Sequence, residues 1–384
     1  LYIKLFLLTC SIGFSLLIGE IIVRQIIPQQ QIRLHLPMTM WDPYVGYVNI
    51  PNFDAFSETE EYHVKVKINS HGLRDRDFDY TKPVNTIRIG IFGDSMTFGW
   101  GVEAEETYSK VLEDLLSRDK TVQKIEVINF GISNTGTSHQ LALYQKEGRK
   151  YNLDFVIVGF YPFNDFDDNW RGVFCLKDDI LAHKPIKKDF IRTSQQIIYS
   201  ILPVYSYLAH HSYLVNLIRS KAVSLYWKKQ EEAANRLQNE PTINIERKGI
   251  ESDTYLNSKK SYLTYKLIEK FQEETRRNNS YFMLINIPAI GQKDISEYSE
   301  KDEIPEYVTQ FHGLLKELNK QNINMIDVTS ILSPQNNHLY YFKQDTHINN
   351  LGHRLIADNI YKTISPFLLK EKKEVEEKRT DMFF

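Results

Sequence analysis

Residues 87–95 read IRIGIFGDS, and this stretch decides the class of fold. Ile87 to Phe92 form a mainly apolar run of strand length, which is typical of a strand buried on both faces of a sheet. The Ser95 hydroxyl would lie at the carboxyl end of that strand, where open α/β sheets bind their ligands. Gly-Asp-Ser alone is a weak signal, so the rest of the chain has to support it.

Four more strands of the same kind follow, separated by amphipathic helices. They are Glu126–Phe130, Phe155–Tyr161, Tyr281–Pro288 and Ile323–Val328. Between the first two of the five strands, Tyr108, Leu112 and Leu115 are spaced to form one apolar helical stripe. The alternation predicts an α/β fold in which a parallel sheet is covered by helices on both faces.

Two regions do not fit this alternation. Residues 28–85 form a polar segment with one strand predicted at Tyr62–Asn69, where apolar and polar residues alternate. About 120 residues separate the third and fourth strands, far more than an ordinary crossover needs. We therefore expect a main domain over 86–370 with a helical insertion at about 178–278, followed by a charged tail at 371–384.

A long apolar stretch lies at the start of the sequence. Leu5 to Val23 is interrupted only by Glu20 and would span roughly 28 Å as a helix, about the thickness of a bilayer core. We interpret residues 1–27 as a transmembrane signal anchor, because no small-residue cleavage motif follows the stretch. A cleaved signal peptide and a buried helix are the alternatives.

The charge and the cysteine content argue against two classes of protein. The formal net charge is −2 with acidic and basic residues mixed, so the basic stripe of a nucleic-acid-binding protein is missing. The two cysteines, Cys10 and Cys175, are not grouped with histidines at zinc-ligand spacing. We expect neither a nucleic-acid partner nor a metal site.

A serine hydroxyl becomes nucleophilic only beside a base, and the end of the chain supplies one. Asp345-Thr346-His347 follows the last predicted strand, so His347 would accept the Ser95 proton while Asp345 orients the imidazole. His353 is the rival base. It lies at the start of an amphipathic helix with no acidic residue just before it, which favours a packing or capping role.

Two loops could stabilise the oxyanion that such a nucleophile generates. Asn164 follows the third strand and its side-chain amide can donate a hydrogen bond, although Asn-Asp also favours a simple turn. The loop at residues 129–136 follows the second strand and could present a backbone N–H. Both loops are predicted at the same edge of the sheet as Ser95.

These blocks resemble, in order, the four sequence blocks of the SGNH hydrolase superfamily. The serine block matches Gly93-Asp94-Ser95, the asparagine block matches Asn164-Asp165, and the histidine block matches Asp345 and His347. The resemblance implies a flavodoxin-like αβα sandwich of about five parallel strands. It also implies a catalytic triad of Ser95, His347 and Asp345 that needs no metal or organic cofactor, with the Ser95 N–H and Asn164 in the oxyanion hole.

Two positions depart from the family pattern. The second block of the family has a glycine whose N–H lines the oxyanion hole; here Asn134 takes that position, with Gly131 as the alternative donor. Asn tolerates left-handed backbone better than most residues. Asp345 lies two residues before His347, whereas many members place it three before. This spacing resembles a branch with bacterial polysaccharide O-acetyltransferases, and residues 69–74 resemble a segment of membrane-anchored members.

The sequence therefore predicts a serine esterase or acyl hydrolase that acts on ester-linked acyl groups, such as acetyl, through an acyl-Ser95 intermediate. The alternatives are an O-acyltransferase that modifies a cell-surface glycan and a non-catalytic SGNH scaffold. The expected partners are a small-molecule or glycan ester, the membrane through the N-terminal helix, and a membrane-bound acyl donor for a transferase. We expect a single-pass protein of the cell membrane with an extracytoplasmic catalytic domain.

Overall fold

The computed structural model describes residues 2–27, 38–118, 124–184, 207–208, 211–239, 256, 258–299, 302–332 and 337–380. Much of the predicted insertion, including residues 185–206 and 240–255, lies outside the described residues. The described residues contain a five-stranded sheet and three two-stranded sheets.

The strands and α-helices of the described residues are numbered here in chain order. The strands are β1 (Thr39–Asp42), β2 (Gly46–Asn49), β3 (Asp54–Glu58), β4 (His63–Lys67), β5 (Thr86–Gly93), β6 (Lys124–Gly131), β7 (Phe155–Phe160), β8 (Phe174–Lys177), β9 (Ile180–His183), β10 (Tyr281–Asn286) and β11 (Met325–Asp327). The helices are α1 (Tyr2–Ile26), α2 (Ser95–Phe98), α3 (Tyr108–Arg118), α4 (Thr137–Lys146), α5 (Pro162–Arg171), α6 (Tyr213–Asn239), α7 (Lys259–Arg277), α8 (Glu306–Lys320), α9 (Asn337–Tyr340) and α10 (Asn350–Thr380).

The five-stranded sheet has the order β11-β10-β7-β5-β6, and every neighbouring pair is parallel. Taken in chain order, this is the 2-1-3-4-5 arrangement of flavodoxin-like folds, so the predicted fold class is confirmed. The order reverses between β5 and β7, which makes the carboxyl ends of these two strands the switch point where such folds bind ligands. Ser95 follows β5 and Asn164 follows β7 at this point.

A hydrophobic cluster on each face of the sheet holds the helices in place. Helices α3 and α10 cover one face through buried side chains that include Leu112 and Ile360. Helices α4, α7 and α8 cover the other face, where Leu141, Phe271 and Leu314 are buried. Each such side chain gains roughly 1.5–3 kcal/mol on burial, so the two layers account for much of the stability of the sandwich.

The segment between α1 and the large sheet contains two antiparallel hairpins, β1–β2 and β3–β4. In β4, Val64 and Val66 are buried while Lys65 and Lys67 are exposed, which is the alternation that predicted a strand here. The partner strand β3 was not predicted. Its one large apolar side chain, Phe56, is 55% exposed, so β3 has no apolar face for a pattern to reveal.

Three elements fall within or beside the stretch predicted as a helical insertion. β8 and β9 form a hairpin whose turn is made by Asp178 and Asp179, both with positive φ. Helix α6 follows after an undescribed stretch. Helix α7 buries Leu263 and Leu267 against the sheet, so it is one of the layer helices of the sandwich. At the far end, residues 371–380 of the predicted charged tail continue α10.

Helix α1 is long and apolar enough to cross a membrane, with a mean hydropathy of 2.2 over an 18-residue window of which 6% is buried. A signal sequence would pass the same test. Glu20 of α1 caps α6: its carboxylate accepts hydrogen bonds from the Ser212 hydroxyl (2.7 Å) and from the N–H groups of Tyr213 and Leu214 (both 2.9 Å). Helix α1 therefore contacts the remainder of the chain through α6.

His353, the rival base, is buried between α10 and α3. Its Nδ1 accepts a hydrogen bond from the Tyr108 N–H (3.2 Å), and its ring stacks on the Tyr108 ring. Burial lowers the pKa of His353 to about 3, and the nearby Arg74 and His347 act in the same direction. The imidazole is therefore a neutral acceptor that joins two helices.

We expect the protein to lose stability as pH falls from about 6.5 to 3, because the unfolded chain takes up a proton at residue 353 that the folded chain refuses. Each pH unit in this window costs at most about 1.4 kcal/mol for one group. In His353→Gln that contribution is gone, so the difference in unfolding free energy between wild type and variant should shrink from pH 7.5 to pH 4.5. Denaturant unfolding at both pH values measures it; equal differences would contradict the assignment.

Candidate active site

Helix α2, which begins at Ser95, packs directly on the carboxyl ends of three strands. A glycine stands at the contact on each strand: Gly93 on β5, Gly131 on β6 and Gly159 on β7. A Cβ on Gly131 would lie 2.6 Å from a backbone Cα of α2, and one on Gly159 would lie 2.7 Å from the Thr97 hydroxyl oxygen. A Cβ on Gly93 would collide with the Thr97 side chain as well. The glycine of the Gly-Asp-Ser block is therefore required by this close approach.

Asp94 is the N-cap of α2, where its carboxylate accepts a hydrogen bond from the Met96 N–H (2.9 Å). Burial raises the pKa of Asp94 to about 6, although the Met96 N–H and the charge of His347 act in the opposite direction. Burial, with the nearby Asp94 charge, also raises the pKa of Asp165 well above its usual value. Simultaneous ionisation of Asp94 and Asp165 is therefore disfavoured next to α2, the helix that begins at Ser95.

The three residues predicted as a triad are brought together. The Ser95 hydroxyl oxygen lies 2.8 Å from His347 Nε2, and His347 Nδ1 is hydrogen bonded to Asp345 Oδ1. Ser95 and His347 are 252 residues apart in sequence. Because Nδ1 faces a carboxylate, it carries the proton, and Nε2 is left to accept a hydrogen bond from the serine hydroxyl.

The short Asp345–His347 spacing is accommodated by the single residue between them. Thr346 has a φ of 63°, in the left-handed region that β-branched residues rarely adopt. Two backbone hydrogen bonds with Phe342 close the loop: Phe342 N–H donates to the His347 carbonyl (2.8 Å), and Thr346 N–H donates to the Phe342 carbonyl (3.2 Å). The left-handed residue turns the chain so that the Asp345 and His347 side chains meet.

Three residues outside the predicted triad surround Asp345. The Tyr62 hydroxyl donates to Asp345 Oδ2 (2.7 Å), the Trp100 indole N–H donates to the Tyr62 oxygen (2.8 Å), and the Glu61 carboxylate accepts the Asp345 N–H (3.0 Å). Burial raises the pKa of Asp345, but the hydrogen bonds from His347 and Tyr62 outweigh it and hold this pKa below its usual value. Only the apolar alternation of β4 drew attention to Tyr62, and it indicated a core residue.

The candidates for the oxyanion hole differ in whether their N–H groups already donate to another acceptor. Asn164 lies in the first turn of α5, with its amide 3.3 Å from Asp94 Oδ2. Asn134 has a φ of 59°, and its N–H meets no acceptor among the described residues. Gly131 is less suitable, because its N–H donates to the Asn129 side chain (2.9 Å). The geometry thus favours Asn134 over Gly131 as the backbone donor.

Aromatic side chains near Ser95 divide into core and surface. Phe160, Tyr161 and Trp170 are buried and serve packing. Trp100 is half-buried with its ring centroid 6.1 Å from that of His347. Phe163, directly before Asn164, is 58% exposed and packs edge-on against Tyr307. Trp100 and Phe163 are the aromatic rings that a substrate could reach.

Comparison with known families agrees with this arrangement. Residues 252–382 match a family model described as SGNH hydrolase-like domain, acetyltransferase AlgX. The match spans about a third of the chain and includes Asp345 and His347 but not Ser95. Among curated proteins, none matches the sequence.

Several solved structures have a similar fold. They include acetyl xylan esterase AlAXEase (13% identity, 72% of this chain and 100% of that chain, TM-score 0.39). Esterase EstA from Pseudoalteromonas sp. is similar at 14% identity (74% and 98%, TM-score 0.38), as is a GDSL-like lipase from Bacteroides thetaiotaomicron VPI-5482 at 10% (73% and 88%, TM-score 0.34).

The sheet order and the residues at its switch point define a flavodoxin-like α/β protein with a serine, a histidine and an aspartate aligned at one edge. Together with the family model that matches residues 252–382, these features support the SGNH hydrolase superfamily for this chain. The family model supports an acyl-transferring enzyme in general, a hydrolase or an acetyltransferase.

We expect Gly131→Ala to destabilise the protein by about 1–3 kcal/mol, because the new methyl group would overlap the backbone of α2 and force it to move. Gly13→Ala in α1 is the control, since a Cβ there meets no atom within 4 Å. Thermal unfolding of both variants measures the difference. Equal melting temperatures for Gly131→Ala and wild type would mean that α2 does not pack this closely on β6.

Proposed function

We propose that this protein is a serine esterase that cleaves ester-linked acyl groups through an acyl-Ser95 intermediate. The observation that carries the proposal is the 2.8 Å contact between the Ser95 hydroxyl and His347 Nε2, with Asp345 on the other ring nitrogen. A serine, a base and an orienting carboxylate in hydrogen-bond reach of one another are what covalent acyl transfer requires.

In the first half-reaction, the Ser95 oxygen attacks the acyl carbonyl carbon while His347 Nε2 takes the hydroxyl proton. Asp345 stabilises the imidazolium that forms and keeps Nδ1 protonated. The negative charge that develops on the carbonyl oxygen would be held by the N–H groups of Ser95 and Asn134 and by the Asn164 amide. When the tetrahedral intermediate collapses, His347 returns the proton to the leaving alcohol and the acyl group remains on Ser95.

In the second half-reaction, His347 removes a proton from the acceptor as the acceptor attacks the acyl-Ser95 ester. Water as the acceptor releases a carboxylic acid, and the protein is then an esterase. A sugar hydroxyl as the acceptor makes it an O-acyltransferase for a cell-surface glycan. This second candidate is favoured by the family model, whose description names an acetyltransferase, and it would draw acyl groups from a membrane-bound donor.

The proposed location is the cell membrane, with α1 as a single-pass anchor and the catalytic domain outside the cytoplasm. The length and apolar composition of α1 support the anchor. The resemblance of residues 69–74 to a segment of membrane-anchored superfamily members supports the extracytoplasmic side. A non-catalytic scaffold is the remaining alternative, and a hydrogen-bonded Ser95–His347 pair is the feature that such a scaffold would not need.

The test compares the full-length protein in detergent with Ser95→Ala, using release of p-nitrophenol from p-nitrophenyl acetate. We expect kcat/KM of the variant to fall by at least about 10³-fold, because a triad nucleophile typically contributes this much or more. Ser296→Ala, at an exposed serine whose hydroxyl donates to the Asp294 carboxylate, should keep the wild-type rate.

Labelling by a serine-directed fluorophosphonate separates the remaining possibilities. Reaction of wild type and Ser296→Ala, but not of Ser95→Ala, together with weak p-nitrophenyl acetate hydrolysis would favour the transferase. Absence of both labelling and hydrolysis in the wild type would overturn the proposal and leave the scaffold.

A further inference from the structure

Both oxygens of the Asp345 carboxylate are engaged, and each by a different part of the chain. Oδ1 accepts the hydrogen bond from His347, and Oδ2 accepts one from the Tyr62 hydroxyl at 2.7 Å. The Asp345 side chain is only 3% exposed, so water cannot replace a missing donor easily. A buried carboxylate oxygen without a partner costs the desolvation of that oxygen, and the carboxylate would turn to recover it.

The Tyr62 hydroxyl is itself held in one orientation. Its oxygen accepts the indole N–H of Trp100 (2.8 Å), which leaves its own proton to point at Asp345. The Tyr62 ring lies against Phe342, with a centroid separation of 5.1 Å. Gly101, whose φ is 85°, packs so closely that a Cβ would come within 3.0 Å of both rings. Burial and the charge of Asp345 raise the pKa of Tyr62, so the phenol stays a donor.

The preceding residue fixes the backbone of the same loop. The Glu61 carboxylate accepts three consecutive N–H groups, from Lys343 (2.7 Å), Gln344 (2.9 Å) and Asp345 (3.0 Å). Charge-assisted hydrogen bonds of this kind are about twice as strong as neutral ones. They hold the stretch that leads into Thr346, where left-handed backbone has to be imposed by its surroundings.

We propose that Tyr62 and Glu61 are positioning residues of the active site: Tyr62 orients the Asp345 carboxylate toward His347, and Glu61 holds the loop that carries both. This inference rests on the proposed function. It extends the site beyond the sequence blocks of the superfamily, because both residues precede the serine block and belong to the segment that holds the hairpins β1–β2 and β3–β4 (the hairpin segment, residues 38–85). The hairpin segment is then part of the catalytic unit as well as the connection to α1.

The experiment is kinetic and spectroscopic, on the full-length protein in detergent. In Tyr62→Phe, kcat for p-nitrophenyl acetate should fall by about 10- to 100-fold while KM stays within about twofold, since the proposed mechanism gives the phenol no contact with the substrate. Glu61→Gln, which offers one acceptor oxygen where there were two and removes the charge, should lower kcat in the same way.

The matched control is Tyr144→Phe. Tyr144 is buried like Tyr62, and its hydroxyl accepts a hydrogen bond from the Asn278 amide (3.0 Å). It lies on the opposite face of the sheet from His353 and α3. We expect Tyr144→Phe to be less stable than the wild type but to have the same kcat. A decrease of kcat in Tyr144→Phe equal to that in Tyr62→Phe would show that any loss of a buried hydroxyl has this effect, and would overturn the inference.

The second measurement does not depend on activity. The His347 Nδ1 proton shared with Asp345 should give a downfield proton NMR resonance in the wild type that disappears in His347→Gln. We expect this resonance to shift or broaden in Tyr62→Phe and to stay unchanged in Tyr144→Phe. An unchanged resonance and an unchanged kcat in Tyr62→Phe overturn the positioning role. If Ser95→Ala is as active as the wild type, the proposed function fails, and the resonance alone still decides the role of Tyr62.

Discussion

The close packing of α2 on the carboxyl ends of β5, β6 and β7 is the constraint on which the rest of the structure depends. Glycine on each of these strands lets α2 pack where a methyl group would overlap its backbone or the Thr97 side chain. The close approach puts Ser95 at the switch point of the sheet, beside the loops that follow β6 and β7. A hydroxyl placed this way on a rigid edge needs only a base on a neighbouring loop to become a nucleophile.

The electrostatics of the site depend on how differently its carboxyl groups are solvated and hydrogen bonded. Asp345 is buried but receives hydrogen bonds from His347 and Tyr62, so its pKa stays low and it remains charged beside the imidazole. Asp94 is buried more completely, and the hydrogen bonds from Met96 and Asn164 do not offset its burial, so its pKa rises to about 6. Negative charge is thereby stabilised beside His347, where it would support an imidazolium, and disfavoured next to the proposed oxyanion donors.

The hairpin segment joins two ends of the chain that are far apart in sequence. Arg74 is buried and follows β4 in the chain. It donates hydrogen bonds to the carbonyls of Phe98 (3.1 Å), the last residue of α2, and of Val102 (2.6 Å) in the loop that follows. Tyr62 reaches the Asp345 loop. The same segment therefore contacts both the loop after α2 and the loop that carries Asp345 and His347. An attachment at two points resists relative movement of these loops better than either contact alone.

The α/β class, the five strands, the Gly-Asp-Ser turn and the Asp345–His347 pair could be predicted from the sequence, because apolar periodicity and short motifs are properties of neighbouring residues. Three features emerge only in the folded chain. The Gly131 N–H donates to the Asn129 side chain, α7 is a layer helix, and Tyr62 contacts Asp345, which is 283 residues away in sequence. Such contacts join residues that are far apart in sequence, so no periodic pattern in the sequence indicates them. They arise only when the parallel sheet brings the ends of its strands, and the loops beyond them, to a single edge.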